Sequence, residues 1–442
     1  MAQSKSSASS ALTGVGGRVA VVDALRTPFA RIATHFREHN VVDLGAMAVA
    51  ELAARNNLSA TDIDQIIFGQ TIMASGTQFI GREVALACGM PDVDAYSVTR
   101  ACATSFQTTA NAAESILLGR ADVVVAGGAD STSDAPIPVS KKLAAALRDA
   151  NFAKTMSQRV KILSRLRPKD LLPTAPAITE YSTGLLMGES AEQMAKSWGV
   201  TRAEQDDIAH ASHSNAANAW AEGRMDDFVS TAFLDDGKGA TRPLREDNLV
   251  RTNSKREGYD KLRPVFDKKL GTVTAANASP LTDGAAAMVL MSEEKAKALG
   301  YEPLAFIRGY SFAAKTPESD LLMGPVLATP AALEQAGVTL KDLDLVDMHE
   351  AFAAQIACNL RGLASRDYIQ KWTGRSKAVG EVDTSKLNVN GGSIAYGHPF
   401  GATGARVIGQ TAHELKRRGG GLALTTACAA GGIGAAMVIE SA

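Results

Sequence analysis

Along this chain, apolar and polar positions switch repeatedly between a strand-like run and a helix-like repeat. Residues 18–22 form a short β-branched run closed by Asp23, and residues 41–55 carry apolar side chains at helical spacing. Leu58-Ser59-Ala60-Thr61-Asp62-Ile63-Asp64 predicts a capped turn feeding a strand over 65–69. A β-prone run at 96–99 enters Arg100-Ala101-Cys102-Ala103-Thr104-Ser105, after which small residues at helical spacing run to Leu118 and stop at Gly119. Ala121-Asp122-Val123-Val124-Val125-Ala126-Gly127-Gly128 then predicts a buried strand. Strands alternating with helices predict an α/β architecture around central sheets.

The same order returns near the C-terminus. Asp342-Leu343-Asp344 repeats Asp62-Ile63-Asp64 at a displacement of 280 positions, again just ahead of an aliphatic strand, here over 343–346. A Gly-rich turn over 390–404, a helix to Leu415 and a strand over 421–426 leading to Cys428 follow. Two separated copies of one α/β unit predict an internal duplication, with a site that draws on both halves where they meet.

Between the copies the texture changes. Residues 141–169 hold nine Lys/Arg against one acid, with Leu143, Leu147, Val160, Ile162, Leu163 and Leu166 interspersed, and Pro168, Pro173 and Pro176 then interrupt the pattern. Residues 191–198 and 202–222 read as polar helices. The expected organisation is a flexible lead-in over 1–17, a first half over 18–140 completed by about 264–298, an inserted mainly helical lid over 141–263, and a second half over 299–442.

Composition narrows the function. The 442 residues carry 46 Lys+Arg and 47 Asp+Glu, a net charge of −1, which argues against a dedicated nucleic-acid binder. That neutrality is composite: 141–169 sums to +8, leaving −9 for the rest. Cys88, Cys102, Cys358 and Cys428 show no CxxC spacing, as expected of a reducing compartment and not of a zinc ribbon or disulfide scaffold. No apolar run approaches the ~18 residues of a membrane span. The first 17 residues read as neither a secretory signal nor a transit peptide.

Five places could carry chemistry. Cys102, at a strand-to-helix turn among small residues, is either a nucleophile whose thiolate a helix N-terminus favours or a small buried hydrophobe. Gly397-His398-Pro399 is either a backbone-fixed acid/base or a polar turn with an incidental histidine. Cys428, beside Gly431-Gly432, is either a second acid/base or a core cysteine near a tight turn. His349-Glu350-Ala351-Phe352-Ala353 emerges after a strand, where α/β folds place their sites, and lacks the second histidine of a zinc HExxH. Asn277-Ala278-Ser279-Pro280-Leu281-Thr282-Asp283-Gly284 offers small residues for a ligand to lie on, or for a helix to pack on.

Taken in order, Cys102 with its helix, the 277–287 stretch, His349-Glu350-Ala351-Phe352-Ala353, Gly397-His398-Pro399 and Cys428 resemble the thiolase family over residues 18–440. Position 349 and the basic insertion most resemble the FadI-type 3-ketoacyl-CoA thiolases, the β-subunit branch of the fatty-acid-oxidation trifunctional complex. The resemblance implies the thiolase fold, two duplicated βαβαβ-type halves in a layered α/β/α/β/α core. It implies cleavage of 3-ketoacyl-CoA by CoA to acetyl-CoA and a shortened acyl-CoA, with CoA and acyl-CoA as substrates and no cofactor or metal. Cys102 would carry the acyl group, His398 would activate it, and Cys428 would be the second acid/base.

In the family one oxyanion hole joins the histidine at 398 to a water held by an Asn just before Glu-Ala-Phe; here that residue is His349. The other uses backbone N–H groups, here of Cys102 and Ala430, the latter standing where the family has Gly. Ser279 matches the position that touches the pantetheine arm. The resemblance further implies a homodimer, a hetero-oligomer with a hydratase/dehydrogenase α-subunit, and a cytoplasmic location with membrane association through the complex. The basic stretch 141–169 could serve CoA phosphates, an anionic membrane or that α-subunit. The alternatives are a biosynthetic acetoacetyl-CoA thiolase, a 3-ketoacyl synthase, which typically has a second histidine where this chain has Cys428, and a non-catalytic acyl-CoA carrier.

Overall fold

The computed structural model describes residues 12–74, 76–173, 179–235 and 240–442. Most of the expected lead-in and Pro176 lie outside the described residues. In chain order the first elements are β1 (Val19–Arg26), β2 (Ala30–Arg31), α1 (Val41–Arg55), β3 (Gln65–Gly69), α2 (Ile80–Ala87), β4 (Asp94–Val98), α3 (Thr104–Leu117) and β5 (Val123–Asp130). Then come α4 (Lys141–Phe152), α5 (Met156–Leu163), α6 (Met187–Ser197), α7 (Arg202–Ala221) and the hairpin β6 (Ala232–Asp235) with β7 (Thr241–Leu244). The chain returns through β8 (Thr282–Ser292), α8 (Glu293–Ala298), β9 (Ala305–Ala314), α9 (Gly324–Ala336), β10 (Leu345–Met348), α10 (Ala353–Ala364) and α11 (Arg366–Thr373). It ends with α12 (Ser393–Tyr396), α13 (Thr403–Arg418), β11 (Leu422–Ala429) and β12 (Ile433–Ser441).

The helix over 41–55 forms where its spacing predicts. Asn40 caps it, accepting from the N–H groups of Val42 at 2.8 Å and Asp43 at 3.1 Å, while Asp43 accepts from the Asn40 N–H at 2.9 Å. Its apolar stripe, Leu44, Ala48, Val49 and Leu52, is buried.

The sheet order is β10-β11-β12-β9-β1-β8-β5-β3-β4, with β2 added on β8. Read outward from its centre it is two copies of one pattern. β1 and β9 pair antiparallel across the middle, Val19 opposite Ile307; β8 and β12 flank them antiparallel. β5 and β11 are antiparallel to those, and β3 and β10 pair parallel to β5 and β11. The duplicated aspartates are equivalent in detail. Asp62 accepts from the Ser59 N–H and Asp342 from the Thr339 N–H. Asp64 accepts from the Val123 N–H at 2.9 Å, at the start of β5, and Asp344 from the Leu422 N–H at 2.9 Å, at the start of β11.

Three apolar clusters give the layers. Because strand side chains alternate, Val19, Val21, Val124 and Ala126 face a middle layer of α3 and α13, while Ala20, Val22, Val123 and Val125 face α1 and α2 outside. In the second half Ala435, Met437 and Ile439 face that same middle layer, and Leu424 and Val438 face α9 and α10. The architecture is therefore α/β/α/β/α, as the resemblance implies.

The chain divides into two compact units, Ala135–Thr179 and the rest. This differs from a lid spanning 141–263. Helices α6 and α7 bury faces against α10, and α7 also packs on α12, so residues from Glu180 onward belong with the layered unit. Within the smaller unit, α4 and α5 pack on each other and leave Leu147, Phe152, Met156 and Val160 more than half exposed. Among the described residues no helix is long and apolar enough to cross a membrane.

Candidate active site

Each half sends residues to one place, at the ends of its parallel strands. β10 stops at Met348, opposite Thr426 of β11, so His349 leaves the sheet just as β11 reaches Cys428. The His349 N–H donates to the Thr426 carbonyl at 2.9 Å. From the first half, Cys102 sits on the turn before α3, after Ala101, whose φ of 47° is in the left-handed region. A β-carbon there is strained, and the turn is held by the Thr104 hydroxyl donating to the Ala101 carbonyl at 2.7 Å.

His398 is set by backbone. The turn before it needs Gly397: its φ is +99°, and a β-carbon there would meet Thr282 Cγ2 at 2.2 Å. The Leu281 segment pairs with His398, whose N–H donates to the Pro280 carbonyl at 3.3 Å. On its other side the same segment pairs Ala278 with Phe352, and the Ser279 N–H donates to the Ala351 carbonyl at 3.0 Å. Ser279 thus lies between the His349 and His398 segments. From Thr282 onward the small residues are the fully buried strand β8, which meets the second reading of that stretch: they serve packing, and only 277–281 borders the site.

The two imidazoles lie 4.1 Å apart between ring centroids, tilted 38°. The nitrogens of both and the Cys102 sulfur fall within 4.8 Å of one another, a set that a soft divalent cation could also bridge. Nδ1 of His398 meets the Thr403 hydroxyl at 2.7 Å, and Nδ1 of His349 meets the Ser393 hydroxyl at 2.7 Å. Both Nε2 atoms are buried and have no hydrogen-bond partner among the described residues.

Burial dominates the electrostatics. The Cys102 thiol is pushed up to about 12, first by desolvation and then by the nearby Asp130, against a pull downward from the Ala430 peptide N–H. Desolvation therefore outweighs the thiolate-favouring effect expected of the helix start, while Cys102 as a residue stays partly open to solvent. Desolvation, with the Arg406 charge added, holds His398 down at about 3; desolvation, then the neighbouring His398 and Arg406, hold His349 well below the usual imidazole range. Cys428 is driven well above the usual thiol range by burial and by the neighbouring Cys102. At rest the site holds two neutral imidazoles and two thiols.

Ala430 keeps an ordinary backbone; the left-handed turn falls on Gly431 and Gly432. Its N–H is accordingly free to point at the Cys102 sulfur, as the Gly it replaces would allow.

With that geometry, the sequence comparisons agree. The chain matches the thiolase N-terminal domain over residues 19–294 and the thiolase C-terminal domain over residues 301–441. It belongs to the thiolase family. Relatives include proteins named 3-ketoacyl-CoA thiolase from Pseudoalteromonas translucida (strain TAC 125), 58% identical over 431 residues, and Klebsiella pneumoniae (strain 342), 57% identical over 431 residues. Each alignment covers 97% of this chain and 98% of the relative. Among solved structures, the Bacillus anthracis acetyl-CoA acetyltransferase superposes with a TM-score of 0.83 at 32% identity, covering 98% of this chain and 100% of that one. Human mitochondrial 3-ketoacyl-CoA thiolase in complex with CoA superposes at 0.80 with 31% identity, over 98% and 100%.

This thiolase holds its site with further residues to which the sequence assigned no role. Glu350 is buried and accepts from the Ser212 hydroxyl at 2.6 Å, the Asn388 amide at 2.6 Å and the Ile394 N–H at 3.1 Å. Gly392 makes room for it, since a β-carbon there would lie 2.3 Å from the carboxyl carbon. Asp130, at the end of β5, accepts from the N–H groups of Ile72 at 2.7 Å and Gly401 at 2.6 Å, tying the first half to the His398 loop. An aspartate ending a buried strand was a readable signal; Ser212, Asn388, Ser393 and Arg406 were not, because their partners lie far away in sequence.

Proposed function

We propose that this thiolase cleaves a 3-ketoacyl-CoA with CoA, through an acyl-enzyme on Cys102. The observation that carries the reading is the Cys102 sulfur within 4.8 Å of a ring nitrogen of both His349 and His398, whose Nε2 atoms have no partner among the described residues, with Cys428 nearby. The high thiol and low imidazole values mean that no standing ion pair exists at rest. The proton leaves sulfur for His398 Nε2 as the sulfur bonds to the 3-keto carbon. The carbonyl oxygen takes the negative charge and faces the backbone N–H groups of Cys102 and Ala430.

The C2–C3 bond then breaks, and its electron pair leaves with the acetyl-CoA fragment as an enolate. Its oxygen faces His349 and the now protonated His398, and its carbon takes the Cys428 proton. The shortened acyl group stays on Cys102 as a thioester. Incoming CoA gives its thiol proton to the Cys428 sulfur and attacks that thioester. Cys102 leaves and regains its proton from His398, restoring every group. Ser279, between the two histidine segments, lies along the pantetheine arm.

The reaction has no step through a metal or redox cofactor. The enzyme works as a homodimer in the cytoplasm, in fatty acid β-oxidation, and docks on a hydratase/dehydrogenase α-subunit of the trifunctional complex or on an anionic membrane. Support for the docking is the unit Ala135–Thr179, which combines the basic residues of 141–169 with exposed apolar side chains.

The test is CoA-dependent loss of 3-ketoacyl-CoA absorbance. Cys102→Ser is expected to lose activity by at least about 1,000-fold and to yield no acylated protein by mass spectrometry, and Cys428→Ser to lose about 100-fold or more. Full activity in Cys102→Ser would end the nucleophile assignment. The rate is expected to survive EDTA, and loss restored by a divalent cation would overturn the cofactor-free reading.

A further inference from the structure

A neutral imidazole presents one N–H and one lone pair, so what each histidine can do depends on which nitrogen holds the hydrogen. His349 and His398 lie side by side, both Nε2 atoms are buried without a partner among the described residues, and a nitrogen of each lies within 4.8 Å of the Cys102 sulfur. The acyl-transfer reading asks opposite things of them: a lone pair from one and a hydrogen from the other. Each Nδ1 meets a hydroxyl, which can give or accept, so the contacts to Ser393 and Thr403 leave both tautomers open by themselves.

Ser393 is not free to choose. Arg406 is wholly buried, and its Nη2, which can only donate, reaches Ser393 Oγ at 2.7 Å. The guanidinium keeps its charge, as arginine does in proteins; Asp347 Oδ1 lies 3.6 Å from its Nη1, and Asp347 accepts from Gln410 Nε2 at 3.1 Å. With Arg406 giving to its oxygen, the Ser393 hydroxyl has its own hydrogen to place, and His349 Nδ1 is its acceptor. Were His349 to donate from Nδ1 instead, the Ser393 hydrogen would be left buried without a partner, which buried hydroxyls avoid. Among the described residues no arginine reaches Thr403 Oγ1, so the contact to His398 Nδ1 does not set that ring's tautomer, and the acyl-transfer reading asks for a lone pair at His398 Nε2.

We propose that Ser393, oriented by Arg406, is a positioning residue that locks His349 as the Nε2–H tautomer, making it a direct donor to the enolate oxygen. This rests on the acyl-transfer reading of the site. It also accounts for the departure at position 349. An Asn there has a built-in amide donor and needs nothing to set it, whereas an imidazole needs a neighbour to decide which nitrogen carries hydrogen.

Two measurements test this. The first is long-range ¹H–¹⁵N NMR of the resting full-length protein with ¹⁵N-labelled histidine rings, His349 being assigned by its loss in His349→Asn. His349 should show a hydrogen-bearing Nε2 and a bare Nδ1, and Ser393→Ala should mix or reverse the two. A protonated Nδ1 in wild type, or no change in Ser393→Ala, would overturn the proposal. The reading needs no substrate, so it stands apart from any failure of the acyl-transfer function. The second is a double-mutant cycle on turnover. Ser393→Ala should lower kcat about 10- to 100-fold with KM changed less than about 3-fold. In the His349→Asn background the same change should cost less than about 3-fold, since the amide has no tautomer to lose. An equal loss in both backgrounds would mean that Ser393 is merely structural.

Discussion

At His398 the ring stays neutral because burial removes the water that would solvate its charge and Arg406 adds repulsion. The sign of the resulting pH effect follows. Its folded value of about 3 lies below the ~6.5 of an unfolded histidine, so between those values the unfolded chain binds the extra proton. Stability from this group is therefore full above about pH 6.5 and is lost as the pH falls towards 3. Going from pH 7 to 5, wild type should lose about 2 kcal/mol more than His398→Asn in urea unfolding. Equal slopes would show a solvated ring. Cys102, His398 and Cys428 were legible as candidates because each sits in a short motif and their order along the chain resembles the thiolases. The thiol's shift was not legible, since a helix start visible in sequence says nothing of how dry the sulfur becomes.

For the elements, what matters is where a turn aims its side chain. Gly397→Ala puts a β-carbon 2.2 Å from Thr282 Cγ2 at a φ of +99°, and β8, which carries Thr282, is buried along its whole length. The loop must yield instead of the strand. The expected result is a loss of about 1–3 kcal/mol in stability and a larger proportional fall in kcat than in substrate binding, read by thermal unfolding and steady-state kinetics. Unchanged kinetics would show that His398 is placed by other contacts. Helix α1 and strand β3 were legible to the residue from periodicity and capping. β8 was not: its Gly-Ala-Ala-Ala run has no alternation to read, because both faces are buried between helix layers.

For the whole molecule, a net charge of −1 conceals a unit of opposite sign. Residues 141–169, at +8, fall in Ala135–Thr179, where α4 and α5 expose apolar side chains among the lysines and arginines. Neutralising Arg159, Lys161, Arg165 and Arg167 should weaken co-sedimentation with anionic vesicles or capture by the α-subunit more than turnover of short substrates, at ~1 kcal/mol per charge for the membrane. Unchanged binding in both would leave the unit without a docking role. The inserted unit is also shorter than its texture suggests. Polar helices α6 and α7 look peripheral in sequence, yet their buried faces close on α10 and bring Ser212 to Glu350.

By itself the sequence determined the α/β class, the duplication and the candidate site residues, because strand and helix periods, the Asp-aliphatic-Asp turns and the glycine-bounded histidine are all local signals. Tertiary structure alone decided the state of those groups. Whether a thiol is dry, whether an imidazole is neutral, and which of its nitrogens bears hydrogen depend on Asp130, Ser393 and Arg406 arriving from separate elements. Such partners are set by packing between layers, which the spacing of residues along a chain does not encode.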